Sequence, residues 1–149
     1  HPAELPDEPR PLILIASGSG LAGILGILAR METRYPAREH GLAHWLIYGE
    51  RDPEHDRIYA SCLEKQREGG VLTWLDRTYS RSKSREYAQQ RLIDHADRLQ
   101  AQLEAGAVIY ICGSADKIGA GAQDTLRQIL GEKTCDRLSK AGRIRLDTY

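Results

Sequence analysis

The sequence predicts an α/β fold, a five-stranded parallel sheet with helices on both faces, and three observations carry that reading. Short apolar runs rich in β-branched residues alternate with longer segments of helical period. The first run passes straight into a glycine-rich turn that opens a helix. The length, 149 residues, suits one domain with one sizeable core, and therefore one active surface.

In chain order, residues 1–10 hold three of the four prolines of "HPAELPDEPRP" and read as a linker from a preceding domain, leaving 11–149 as the domain proper. "PLILIAS" (11–17) is apolar throughout, as a strand covered on both faces must be, and a helical period follows over 21–34. "HWLIYGE" (44–50) and "LTWLDRTY" (72–79) are the next strands, separated by a helix near 56–68. A helix over 86–104 leads to "AVIYICG" (107–113), then one over 115–130 and a short one near 133–141. "RIRLDTY" (143–149), the most polar of the five, closes the sheet.

Composition excludes several function classes. Acidic and basic residues balance at 21 each, and 41% of residues are hydrophobic, so neither nucleic acid nor a membrane surface is the expected partner. Any charged site has to be local. Cys62, Cys112 and Cys135 are odd in number and form no CxxC pair, which argues for a reducing, cytoplasmic setting and against a disulfide framework or zinc knuckle. The apolar runs fall well short of the ~20 residues that span a bilayer, so any membrane tether of a larger parent lies elsewhere. His40, His44, His55 and His95 have no metal-ligand spacing, and no metal is expected.

Right-handed crossovers gather the carboxyl ends of parallel strands on one rim, and ligands bind there where the strand order reverses. That rim collects "SGSG" (17–20), "GERD" (49–52), "YSRSKSR" (79–85), "CGSADK" (112–117) and "DTY" (147–149). "GSGLAG" (18–23) follows a strand and opens a helix, the context in which GxGxxG signals a dinucleotide and a Rossmann-like sheet. Gly18 can take a positive φ, Gly20 offers no Cβ to an approaching pyrophosphate, Ser19 adds a hydroxyl, and the helix amino end supplies N–H donors. No Walker lysine follows, which sets a P-loop aside.

Two rim segments point to different nucleotides. Glu50, closing the second strand, is placed to accept a bond from a ribose 2′-hydroxyl, the NAD arrangement. "SRSKSREY" (80–87) instead offers Ser80, Arg81, Lys83 and Arg85 to a 2′-phosphate, with the Tyr87 ring to stack on adenine. Two or three charge-assisted bonds of roughly 1.5–3 kcal/mol each favour the phosphorylated cofactor by on the order of a hundredfold or more. Bound phosphate also relieves positive charge at a helix amino end.

With these residues in place, the chain from Pro11 to Tyr149 resembles the NADP(H)-binding half of the ferredoxin-NADP reductase superfamily. Within it, the diflavin branch is the most similar: cytochrome P450 reductase and the flavoprotein subunit of sulfite reductase. "GSGLAGI" is similar to the family's "GTGIAPF", with Ser19 for threonine and Gly23 for proline. "YGER" matches "FGCR" through Gly49 and Arg51, with Glu50 in the cysteine's place. Ser80, Arg81, Arg85, Tyr87 and Gln89 match the 2′-phosphate loop, to which Lys83 adds a cation. "YICGSA" is similar to "YVCGDA", giving Cys112 and Gly113, with Ser114 for aspartate. The ending resembles "RYxxDVY", giving Asp147 and Tyr149.

The resemblance implies NADPH positioned for hydride transfer to FAD held by another domain, with Cys112 and Asp147 flanking the nicotinamide and Tyr149 covering the flavin until it swings aside. It also implies a parent with an FAD-binding domain, a flavodoxin-like FMN domain and a downstream electron acceptor, and a fragment inactive without them. An NAD-preferring reductase using Glu50 is the alternative within redox chemistry. A non-catalytic nucleotide-sensing or docking module, its basic loop against an acidic partner, is the alternative outside it.

Overall fold

The computed structural model describes residues 4–50, 57–80 and 87–149, with side chains outside the stretch 57–58. Five strands, β1 (Leu12–Ser17), β2 (His44–Glu50), β3 (Leu72–Tyr79), β4 (Val108–Gly113) and β5 (Ile144–Thr148), form one sheet. The order is β3-β2-β1-β4-β5, and every pairing is parallel. The expected sheet is therefore present, with each strand within a residue of its predicted limits.

Alternation along the strands divides the core between two faces. Leu12, Leu14, Ala16, Leu46, Tyr48, Tyr110 and Cys112 pack with α1 (Gly20–Arg34), whose Leu21, Ile24, Ile27, Leu28 and Met31 recur at helical spacing. Leu63 of α2 (Arg57–Glu68) completes that layer. Ile13, Ile15, Trp45, Ile47, Ile109 and Ile111 face the other way, onto α3 (Ala88–Asp94), α4 (Ala96–Glu104), α5 (Ala120–Leu130) and α6 (Glu132–Lys140). A one-residue slip of any central strand would exchange these two sets.

Two helical expectations are corrected. The segment expected as a single helix over 86–104 breaks at His95, whose backbone leaves the helical region at φ −118° and ψ 40°. There the ring meets Trp45 edge-on, with centroids 6.0 Å apart, and Nε2 stands 3.8 Å from Asp76 Oδ1. The segment expected as a helix over 115–130 starts as a π-helical turn, Ala115–Gly119, before α5 begins. One further helical turn, Ala37–His40, was not expected; it follows Pro36, takes a bond from the Ala37 N–H to Glu32 Oε2 (2.9 Å), and ends at Gly41 with φ +62°.

Residues 4–10 are seated on the domain. The Tyr110 hydroxyl donates to the Glu4 carbonyl (2.5 Å), the Tyr35 hydroxyl to that of Asp7 (2.8 Å), and Arg10 to that of Gly106 (2.9 Å). Among the described residues no helix is long and apolar enough to cross a membrane.

Candidate functional site

Strand order reverses at β1, which pairs with β2 on one side and β4 on the other. Connections leave that point in opposite directions and open a crevice at the strands' carboxyl ends. A cleft of about 730 Å³ lies on this rim, lined by predicted Gly18, Gly49, Ser80, Tyr87, Gln89, Ser114 and Tyr149. Residues from five separated chain segments thus converge on one concavity.

Gly18 makes the turn at φ +53°, and a Cβ there would meet nothing within 4 Å, so the floor is open to a ligand. Its N–H donates to the Gly49 carbonyl (3.2 Å), tying the turn to β2. Gly20 has a second reason to be glycine: an added Cβ would overlap the Cys112 carbonyl, so α1 seats directly on β4. Gly49 sits 3.3 Å from Ala88 Cβ by the same measure, which brings the start of α3 against β2 and places Tyr87 and Gln89 on one wall. Tyr87 is about half exposed, leaving a ring face available for stacking.

Tyr149 closes the opposite end. Its N–H donates to the Gly113 carbonyl (3.1 Å), its main-chain oxygen accepts from Ala115 (2.8 Å), and its hydroxyl shares a hydrogen bond with Ser19 Oγ. The segment expected to be decisive is thereby fastened to both the glycine turn and the end of β4. Ser114 Oγ donates to Asp116, and that bond, followed by one from the backbone, holds the Asp116 carboxyl below its ordinary range.

Cys112 and Asp147 do not line the cleft. They are directly paired across β4 and β5 and lie on the α1 side of the sheet, where a Cβ on Gly23 would stand 3.9 Å from Cys112 Sγ and 3.8 Å from Asp147 Oδ2. Burial, with the Asp147 charge adding to it, pushes the Cys112 thiol up to about 11. At neutral pH it is a protonated, buried thiol. Gly113, between Cys112 and the cleft, takes φ +143° and packs against Ile118 and Ser17. Arg51, Arg81, Lys83 and Arg85 lie outside the described residues.

Sequence reasoning passed over part of the lining: Ser17, Ala88, Lys117 and Ile118. "CGSADK" had been placed on the rim, and its lysine was the available signal. Glu50 also lines the cleft, and its Oε2 accepts from the Tyr48 hydroxyl (2.8 Å).

The chain is 29% identical over 154 residues to the sulfite reductase [NADPH] flavoprotein alpha-component of Vibrio cholerae, an alignment covering 96% of the chain and 24% of that protein. It is 30% identical over 126 residues to the NADPH–cytochrome P450 reductase of Dictyostelium discoideum, covering 84% of the chain and 19% of the relative. Against a bifunctional cytochrome P450/NADPH–P450 reductase of Bacillus cereus it is 34% identical over 133 residues, covering 87% and 12%. The chain thus spans about a quarter or less of the length of these relatives. They bear out the resemblance drawn from the motifs. The pattern of the oxidoreductase NAD-binding domain matches residues 14–123, most of the chain, and the chain therefore belongs to that family.

Proposed function

We propose that this chain is the NADP(H)-binding domain of a flavin-dependent oxidoreductase, presenting NADPH for hydride transfer to FAD on another domain of its parent. The observation that carries the reading is the cleft at the β1 reversal, where Gly18, Ser80, Tyr87, Gln89, Ser114 and Tyr149 meet. The named activities of the relatives, all NADPH-dependent, support it.

The dinucleotide supplies the hydride and FAD accepts it; this chain binds, orients and shields. The open floor at Gly18 and the N–H groups opening α1 suit a pyrophosphate. Ser80, with Arg81, Lys83 and Arg85 beyond the described residues, would hold the 2′-phosphate, and Tyr87 would stack on adenine. Arg51, Gly49, Gln89 and Gly113 complete the cofactor contacts in this reading. Tyr149, tethered by Ser19, would cover the flavin until the nicotinamide displaces it. The FAD domain, a flavodoxin-like FMN domain and a downstream electron acceptor are the partners proposed for the parent.

Glu50 on the cleft wall is the one observation favouring NAD instead. Titration calorimetry of the chain with NADP⁺ and NAD⁺ separates the two. The expected preference for NADP⁺ is on the order of a hundredfold, as two or three charge-assisted bonds give. Arg81→Glu should erase it while leaving NAD⁺ binding intact. Equal affinity for the two nucleotides in the wild-type chain would refute the proposal.

A further inference from the structure

Among the described residues lining the cleft, Lys117 has the sole cationic side chain and Glu50 the sole anionic one. Lys117 sits in the π-helical turn after Ser114, its N–H donating to the Ser114 carbonyl at 3.3 Å. That turn runs without interruption into α5, so Gly121 lies one turn further along on the same side of the helix. Gly121 is where the Gln89 side chain packs: a Cβ there would stand 2.9 Å from Gln89 Nε2. The turn that opens α5 therefore carries Lys117 on the side of the helix that packs on Gln89, and Lys117, Gln89 and Tyr87 line the same cleft.

The alternative target, a pyrophosphate over Gly18, belongs to the α1 turn and has the α1 N–H groups as its donors. Asp116, beside Lys117 in the chain, accepts from Ser114 Oγ and from the backbone, and the Lys117 charge adds a smaller contribution to holding that carboxyl low.

We propose that Lys117 is a specificity-determining residue, its ammonium completing the 2′-phosphate pocket from the wall opposite Tyr87. This rests on the NADP(H) reading above and deepens it. A lysine here acts as a mobile point charge, so the contact needs one cation and no fixed fork geometry. The site would then be a clamp formed by two elements that follow different strands, β3 and β4, and its strength would depend on how closely α3 and α5 pack.

Calorimetry of Lys117→Met and Lys117→Arg with NADP⁺, NAD⁺ and 2′,5′-ADP tests this. Lys117→Met should weaken NADP⁺ and 2′,5′-ADP about tenfold and leave NAD⁺ within twofold. Lys117→Arg should restore binding to within about threefold of wild type. An equal loss for NADP⁺ and NAD⁺ would assign the ammonium to the pyrophosphate and overturn the proposal, as would unchanged affinity for all three ligands. Wild-type protein that prefers NADP⁺ together with an indifferent Lys117→Met defeats this inference alone. Wild-type protein that does not discriminate defeats the function it rests on.

Discussion

Cys112 and Asp147 are paired across neighbouring strands beside Gly23, yet the cleft stops short of them. The thiol, protonated at neutral pH, can donate a weak hydrogen bond but carries no charge. Asp147 is exposed, and of the pair it is the group able to stabilise positive charge developing on a nicotinamide as hydride departs. In the intact parent, Asp147→Ala should slow flavin reduction by NADPH at least tenfold in stopped flow, with NADP⁺ affinity little changed; an unaltered rate would remove Asp147 from the chemistry. Neither residue's neighbourhood was evident from composition or period. The strand pattern put "DTY" at the rim of the sheet, but a chemical role for it came from the motif resemblance alone.

Helix α1 shows how one residue type serves opposite ends within seven positions. Gly20 is compulsory, because its Cα approaches the Cys112 carbonyl too closely for any side chain. Gly26 is exposed, in regular helix, with nothing within 4 Å of an added Cβ. Gly26→Ala should therefore raise stability by about 0.5–1 kcal/mol, and the melting temperature by roughly 1–4 °C. Gly20→Ala should lower stability by ~2 kcal/mol or more through displacement of α1. Thermal unfolding of both variants decides it, and a stabilised Gly20→Ala would contradict the contact described. The elements were readable wherever the apolar period had a single consequence, as in "LILIA" and "VIYIC", buried on both faces. The break at His95 was not, because it comes from a ring meeting Trp45 and Asp76, residues about twenty to fifty positions distant in the chain. Lys117 escaped for a related reason: a lysine near a helix start is ordinary until α5 is seen packed on α3.

The whole domain also carries an acid-sensitive anchor far from its cleft. His44, fully buried at the start of β2, accepts the Leu12 N–H on Nδ1 (3.0 Å), and burial lowers its pKa from 6.5 to about 4. The folded state holds the ring neutral while the unfolded chain takes up a proton below pH 6.5. Stability is thus fully present above that value and declines as pH falls toward about 4, by roughly 3 kcal/mol in total. Urea unfolding at pH 7 and pH 4.5 should show the loss in wild type and a smaller one in His44→Asn, whose amide oxygen can still accept from Leu12; equal losses would overturn the assignment. Scaffold and cleft are in this way separately vulnerable. The same separation governs the far end of the sheet. Tyr149 follows β5, which has a neighbour on one side only, whereas the glycine turn follows β1, held on both. Peeling the margin would carry the terminal ring away and leave the phosphate seat untouched, a door hung on the outermost plank of a fixed wall.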